Sequence, residues 1–111
     1  MGVKIKNMTA KEKKVRNELL SQLKTRKQHN AVFEDVVDDY IVMMRTRSQL
    51  QEDIEKNGPV IEYQNGANQK GVKKNDSLEL LNKTRDRMIK TLLYLGISPK
   101  DIYIEEDDDV L

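Results

Sequence analysis

Nine of the first thirty residues are cations: Lys4, Lys6, Lys11, Lys13, Lys14, Arg16, Lys24, Arg26 and Lys27. Only Glu12 and Glu18 oppose them, which leaves this head at +7. The last eleven residues hold Asp101, Glu105, Glu106, Asp107, Asp108 and Asp109 and no base, a net charge of −6. The middle, 31–100, balances eleven bases against eleven acids, so the overall charge of +1 conceals a strong polarity. The chemistry within reach of such a chain is ionic recognition, a polyanion at the head and a basic protein at the tail. Clustered cations neutralise phosphates in a salt-dependent, sequence-blind way. The competing reading is a solvated helix surface. Residues 1–30 contain no aromatic side chain, which argues against base stacking and for contact with a duplex backbone. A helix–turn–helix would want a tight glycine-containing turn, and none is visible there.

Covalent and metal chemistry fare worse. His29 is the only histidine and cysteine is absent, so a transition-metal site would have to be mostly carboxylate. The acidic tail can condense divalent cations loosely, but it lacks the glycine turn and spacing of a calcium loop. Gly58, Gly66 and Gly71 do not fall into a phosphate-cradling motif. Asp38-Asp39 and Glu52-Asp53 are sequence neighbours on helical segments, where adjacent side chains diverge, so they read as solvated faces and not as catalytic pairs. The expectation is a non-enzyme with no cofactor and no metal.

At 111 residues the chain makes one small domain with tails. Its apolar share of 37% and single Phe imply a modest core, of the size that oligomerisation often supplements. No apolar run approaches a membrane span of about 18 residues. The N-terminus lacks the apolar stretch of a signal peptide, and Lys6 stands where a myristoylation signal wants Ser or Thr. These features predict a soluble, cytoplasmic protein.

The pattern predicts an all-α fold with three helices. Thr9 and Glu12 form a capping-box signature for a helix over about 9–27, with a narrow apolar stripe at Val15, Leu19, Leu20 and Leu23. Lys13, Lys14 and Arg16 lie off that stripe. So thin a stripe must dock elsewhere or form on binding. Asn30 is the expected N-cap of a second helix over about 31–56, ended by a left-handed glycine cap at Gly58 and by Pro59. Val60-Ile61-Glu62-Tyr63 and the Asn65-Gly66 pair predict a small hairpin or ordered loop at 59–72. Asp76, with Glu79 three residues on, is the expected cap of a third helix over about 76–95, closed by Gly96 and Pro99.

Helices two and three share a seven-residue register. Phe33, Val36, Tyr40, Met43, Leu50 and Ile54 carry it on one, and Leu78, Leu81, Met88, Leu92 and Leu95 on the other. Val32, Val37, Ile41 and Met44 make the face of helix two wider than a two-stranded seam, so the six register residues of helix two with Leu81, Met88 and Leu92 are the expected oligomer interface. Arg47 and Arg85 interrupt the seams. Each either snorkels to the core edge or faces an oligomer channel. The chain thus divides into a DNA-contacting segment at 1–30, an oligomerisation core at 31–98 and an acidic tail at 99–111. In that tail Ile102, Tyr103 and Ile104 precede Glu105, Glu106, Asp107, Asp108 and Asp109, a pattern suited to folding on a partner.

From Tyr40 to Pro99 the chain resembles the small terminase subunits of tailed bacteriophages. The matching pieces are the long helix through Leu50 and Ile54 to Gly58, the insertion Tyr63-Gln64-Asn65-Gly66 to Lys70-Gly71, the helix start Lys74-Asn75-Asp76, and the ending Leu95-Gly96-Ile97-Ser98-Pro99. Asp76 stands where the family favours Pro. The resemblance implies a non-catalytic subunit in the bacterial host cytoplasm. Such a subunit binds double-stranded viral DNA, assembles into a ring, and recruits and regulates the large terminase subunit, which holds the ATPase and nuclease. Two other classes compete: a dimeric DNA-binding regulator of phage or plasmid origin, and a structural assembly factor with no DNA role.

Overall fold

A computed structural model describes residues 5–64, 66 and 70–98 of the chain. They fold as α1 (Ala10–Thr25), α2 (Ala31–Asn57), β1 (Val60–Gln64), β2 (Lys70–Lys74) and α3 (Asp76–Tyr94). Lys4 and the tail residues 99–111, including Ile102 to Asp109, lie outside the described residues.

Local signals set the helix ends. The capping box is complete: the Glu12 backbone N–H donates to Thr9 Oγ1 at 3.1 Å, and the Thr9 N–H donates to Glu12 Oε1 at 2.9 Å. Asn30 accepts from the N–H groups of Val32 and Phe33 and caps α2 as expected. The cap of α3 is Asn75, not Asp76, because Asn75 keeps extended backbone and its side chain accepts from the Ser77 N–H at 3.0 Å. Asp76 is the first helical residue, where its charge still suits the helix dipole.

The C-terminal ends differ from one another. Gly58 has φ 80° and ψ 177°, so the left-handed cap expected there is instead an extended conformation of positive φ, which glycine alone adopts readily. α3 ends in a Schellman motif, with Ile97 N–H donating to the Leu92 carbonyl at 2.9 Å and Gly96 N–H to that of Leu93 at 2.9 Å. Ile97 and Leu92 are both buried in the same core, the apolar contact that accompanies the motif. α1 ends the same way through Gln28 and Lys27, bonded to the carbonyls of Leu23 and Lys24. There the residue of positive φ is Lys27, at 60°.

The insertion is a hairpin and not a loop, and it runs on to Lys74. β1 and β2 pair antiparallel, Val60 with Lys74 through Gln64 with Lys70. That register leaves five residues between the strands.

The core brings all three helices together. Val15, Leu19 and Leu23 of α1 pack with Val37, Ile41 and Met44 of α2 and with Met88 and Leu92 of α3. Leu95 and Ile97 close the far end. α1 therefore docks, and the core crosses from residues 1–30 into 31–98. The ion pairs linking Glu12 to Arg45 and Arg16 to Asp38 run in opposite order along the two helices, so α1 lies antiparallel to α2.

Candidate nucleic-acid interface

Docking sorts the cations of the head into two sets. The first set is spent inside the chain. The Arg16 guanidinium donates from Nε to Asp38 Oδ1 at 2.6 Å, with both side chains mostly covered. Arg26 donates to the Gly96 carbonyl and ties the end of α1 to the end of α3. Asp38 is thus no solvated acid, and Arg16 is not displayed to solvent as the sequence reading expects.

The second set faces outward. The exposed residues of α1 are Ala10, Lys11, Lys13, Lys14, Asn17, Ser21, Lys24 and Thr25, and none is acidic. Glu12 turns inward, and Glu18 sits half-buried at the edge, accepting from Gln22 at 3.3 Å. Small polar side chains between the lysines leave room for close approach. Lys6 precedes the helix and Lys27 follows it, both exposed. This face can hold a row of phosphates through point charges, without base-specific readout.

Glu12 is what holds that face outward. It is 6% exposed, and both of its carboxylate oxygens accept from Arg45, at 2.8 and 3.3 Å. The Arg45 hydrogen bonds hold the Glu12 pKa below the ordinary carboxylate range, against the opposing effect of burial. Arg45 also donates to the Lys6 and Asn7 carbonyls, at 2.9 and 3.4 Å, and so fastens the segment before α1. A Glu that caps its own helix and binds a cation 33 positions on carries no sequence signal beyond the cap itself.

At the other end of α2, Asp53 is the hub of a second network. Its Oδ2 accepts from Ser77 Oγ at 2.7 Å and from Asn75 Nδ2 at 3.0 Å, and its Oδ1 accepts from Asn57 Nδ2 at 2.7 Å. These bonds, led by Ser77, lower its pKa. Asp53 is therefore a structural anchor for the hairpin base, not the solvated acid expected.

The expected interface residues separate by depth. Leu81, Met88 and Leu92 are buried within the chain. Phe33, Val36, Tyr40 and Met43 are half-buried against the core, and Leu50 and Ile54 are half-buried as well. Burial raises the Tyr40 pKa, with Arg47 acting against it. Arg47 is half-buried in a cleft with Lys11, Arg45 and Gln51, and Arg85 is exposed. Apolar side chains outside the expected set stand clear of the core, among them Ile89 at 52%, Leu93 at 61% and Tyr94 at 69% exposure. Ile89 and Leu93 are one turn apart. Their i, i+4 spacing was open to sequence reading, but their outward direction was not.

His29 lies 3.5 Å from Glu34 at the surface. Among the described residues no three His, Cys, Asp or Glu side chains gather as a metal site, and no helix is long and apolar enough to cross a membrane. A family model described as phage terminase, small subunit, matches residues 13–102. The match takes in most of α1, which lies outside the Tyr40–Pro99 resemblance. No curated protein and no solved structure matches the chain.

Proposed function

We propose a genome-packaging role for this chain, which belongs to the phage terminase small-subunit family. It binds viral double-stranded DNA, assembles with copies of itself, and recruits and regulates the large terminase subunit without catalysing a reaction. The observation that carries the DNA part is the acid-free lysine face of α1, held outward by the Glu12–Arg45 and Arg16–Asp38 pairs. A docked helix presents its charges in fixed relative positions, so less ordering remains to be done on binding.

Assembly runs through α2 and α3. Phe33, Val36, Tyr40 and Met43 keep part of their surface uncovered, and Ile89, Leu93 and Tyr94, each more than half exposed, add apolar area. Exposed apolar clusters of this kind are covered by partners in stable proteins. A ring is the assembly that suits the packaging role. The acidic tail at 99–111, with apolar Ile102, Tyr103 and Ile104 for residence and six acids for steering, is the element we assign to the large subunit. The protein works in the host cytoplasm, where the viral DNA is packaged.

Native mass spectrometry with and without duplex DNA tests this reading. A closed assembly of many copies that takes up duplex is the expected result. A dimer that binds DNA would support the regulator reading instead, and an assembly that ignores DNA at every salt concentration would leave only a structural role. Replacing Ile89 and Leu93 with Asp should lower the mass of the assembly while each chain stays folded, because both side chains are exposed within one chain.

A further inference from the structure

The β1–β2 hairpin is the part of the molecule that its own core does not use. Among the described residues its strands pair only with each other, and only Ile61 and Gly71 are half-buried. A two-stranded hairpin alone is marginal in water, so a ribbon that buries so little is stabilised from outside its own chain. Its base is nonetheless locked. Asn75 donates its backbone N–H to the Pro59 carbonyl at 2.8 Å and its side-chain amide to the Gly58 carbonyl at 2.9 Å. The ribbon is thus anchored at one end, and Gln64 and Lys70 at the other end of its strands are exposed.

Cross-strand partners share a face. Ile61, Tyr63, Gly71 and Lys73 lie on one, where Ile61 and Gly71 are half-buried, the Tyr63 ring lies over Gly71 and Lys73 pairs with Asp76 at 3.9 Å. The outer face carries Lys70, Val72 and Lys74 on β2 opposite Gln64, Glu62 and Val60 on β1. Val60 and Val72 are 51% and 63% exposed. Three lysines against one glutamate leave the strands at +2, and the sequence from Tyr63 to Asn75 contains no acid.

We propose that this ribbon is a second nucleic-acid contact, which enters the major groove of the same duplex that α1 holds. This rests on the DNA-binding reading above. A two-stranded ribbon fits a groove about 12 Å wide. Lysines along its margin meet phosphates, and exposed valines meet sugar carbons and thymine methyl groups. The placement along α2 agrees. The start of α1 is pinned at Arg45, and the hairpin leaves α2 at Gly58, about 20 Å further along the axis at 1.5 Å per residue. One turn of B-DNA is about 34 Å, so a single duplex can touch both. Arg47, in the cleft with Lys11, lies between them. Glu62 stands across from Val72, flanked by the two outer-face lysines, and repels phosphate there. It supplies a variant of opposite sign.

The test uses the full chain, a duplex of about three turns and fluorescence anisotropy over a salt series. Replacing Lys70 and Lys74, the two outer-face lysines, with Gln should lower affinity at least tenfold at low salt. The log–log salt slope should fall by about two. Glu62→Gln should raise affinity several-fold. Both variants should keep the native mass and helical content of the wild type. Lys11, Lys13 and Lys24 replaced with Gln form the parallel variant of α1. If that variant loses binding while both hairpin variants match the wild type, the hairpin inference fails and the DNA role stands. A wild-type chain that does not bind duplex sinks the DNA reading and this inference together. If the hairpin lysine variant lowers the mass of the assembly without changing affinity per copy, the ribbon contacts a neighbouring subunit, whose acidic tail is complementary in charge, and the inference is overturned.

Discussion

The two seams along α2 are built from different chemistry. The α1 seam has two charged pairs that cross to α2 near its start, from Glu12 and Arg16 on either side of Val15, and buried Leu19 and Leu23 further along. The α3 seam sets Met88 and Leu92 into the same core, but its polar part is a single acid, Asp53, held by amide and hydroxyl donors. The first arrangement uses arginines to point a helix. Its inward cations meet acids, and no exposed residue of α1 is acidic. The second arrangement locks a chain reversal. It fixes the hairpin base and leaves the strands unpacked. One seam therefore serves display of a surface and the other serves continuity of the backbone.

The largest effect should come from the α3 seam. Asn75 is 2% exposed and serves at once as N-cap, donor to Asp53 and donor to Gly58. Asn75→Ala should cost about 2 kcal/mol in chemical denaturation, from the lost cap and the stranded acceptors. A cost near zero would mean that the reversal is held by backbone alone.

An intermediate effect should come from the α1 seam, and acid separates the two contributions. Glu12 and Asp53 both have lowered pKa values in the folded chain. A lowered carboxylate adds stability that is fully present above its unfolded pKa and is lost as pH falls through the folded value. Thermal melts should thus decline from neutral pH to about pH 3. Glu12→Gln should cost about 1 kcal/mol at neutral pH, through Arg45 and the capping box, and should flatten part of the acid decline. Asp53→Asn should flatten the remainder. An unchanged acid profile in both variants would place the responsible carboxylates elsewhere.

The smallest effect compares the two Schellman ends. Lys27 holds φ 60° where Gly96 holds φ 76° in the equivalent position. Lys27→Gly should be neutral to stabilising by up to about 1 kcal/mol, since it removes the left-handed strain at some cost in chain entropy. Gly96→Ala should destabilise by about 1 kcal/mol, read from paired melting curves. If both glycine-bearing forms prove less stable, strain at these ends is not what sets their cost.

Much of the fold was legible because it is local. Thr9 with Glu12, Asn30, Gly58-Pro59 and Gly96 act within about four residues of the bonds they make, so helix ends could be placed from neighbours alone. The one misplaced cap, Asp76 for Asn75, is a choice between adjacent residues that both cap well. The buried stripe of α1 and the register of α3 were legible for the same reason, since helical periodicity puts residues three and four apart on one face. The hairpin could not be told from a loop, because its strands lack an alternating buried face.

The sequence by itself determined the three helices, the charge polarity of the head and tail, and the apolar stripe of α1. The tertiary structure alone decided which charges are spent. Arg16 meets Asp38 across 22 positions and Glu12 meets Arg45 across 33, and both pairings depend on how far each helix is rotated when it docks. It also decided that Ile89, Leu93 and Tyr94 stay outside while Leu92 and Leu95 go in. A helix has one inner face, and which apolar residues it takes is settled only when a second surface is pressed against it.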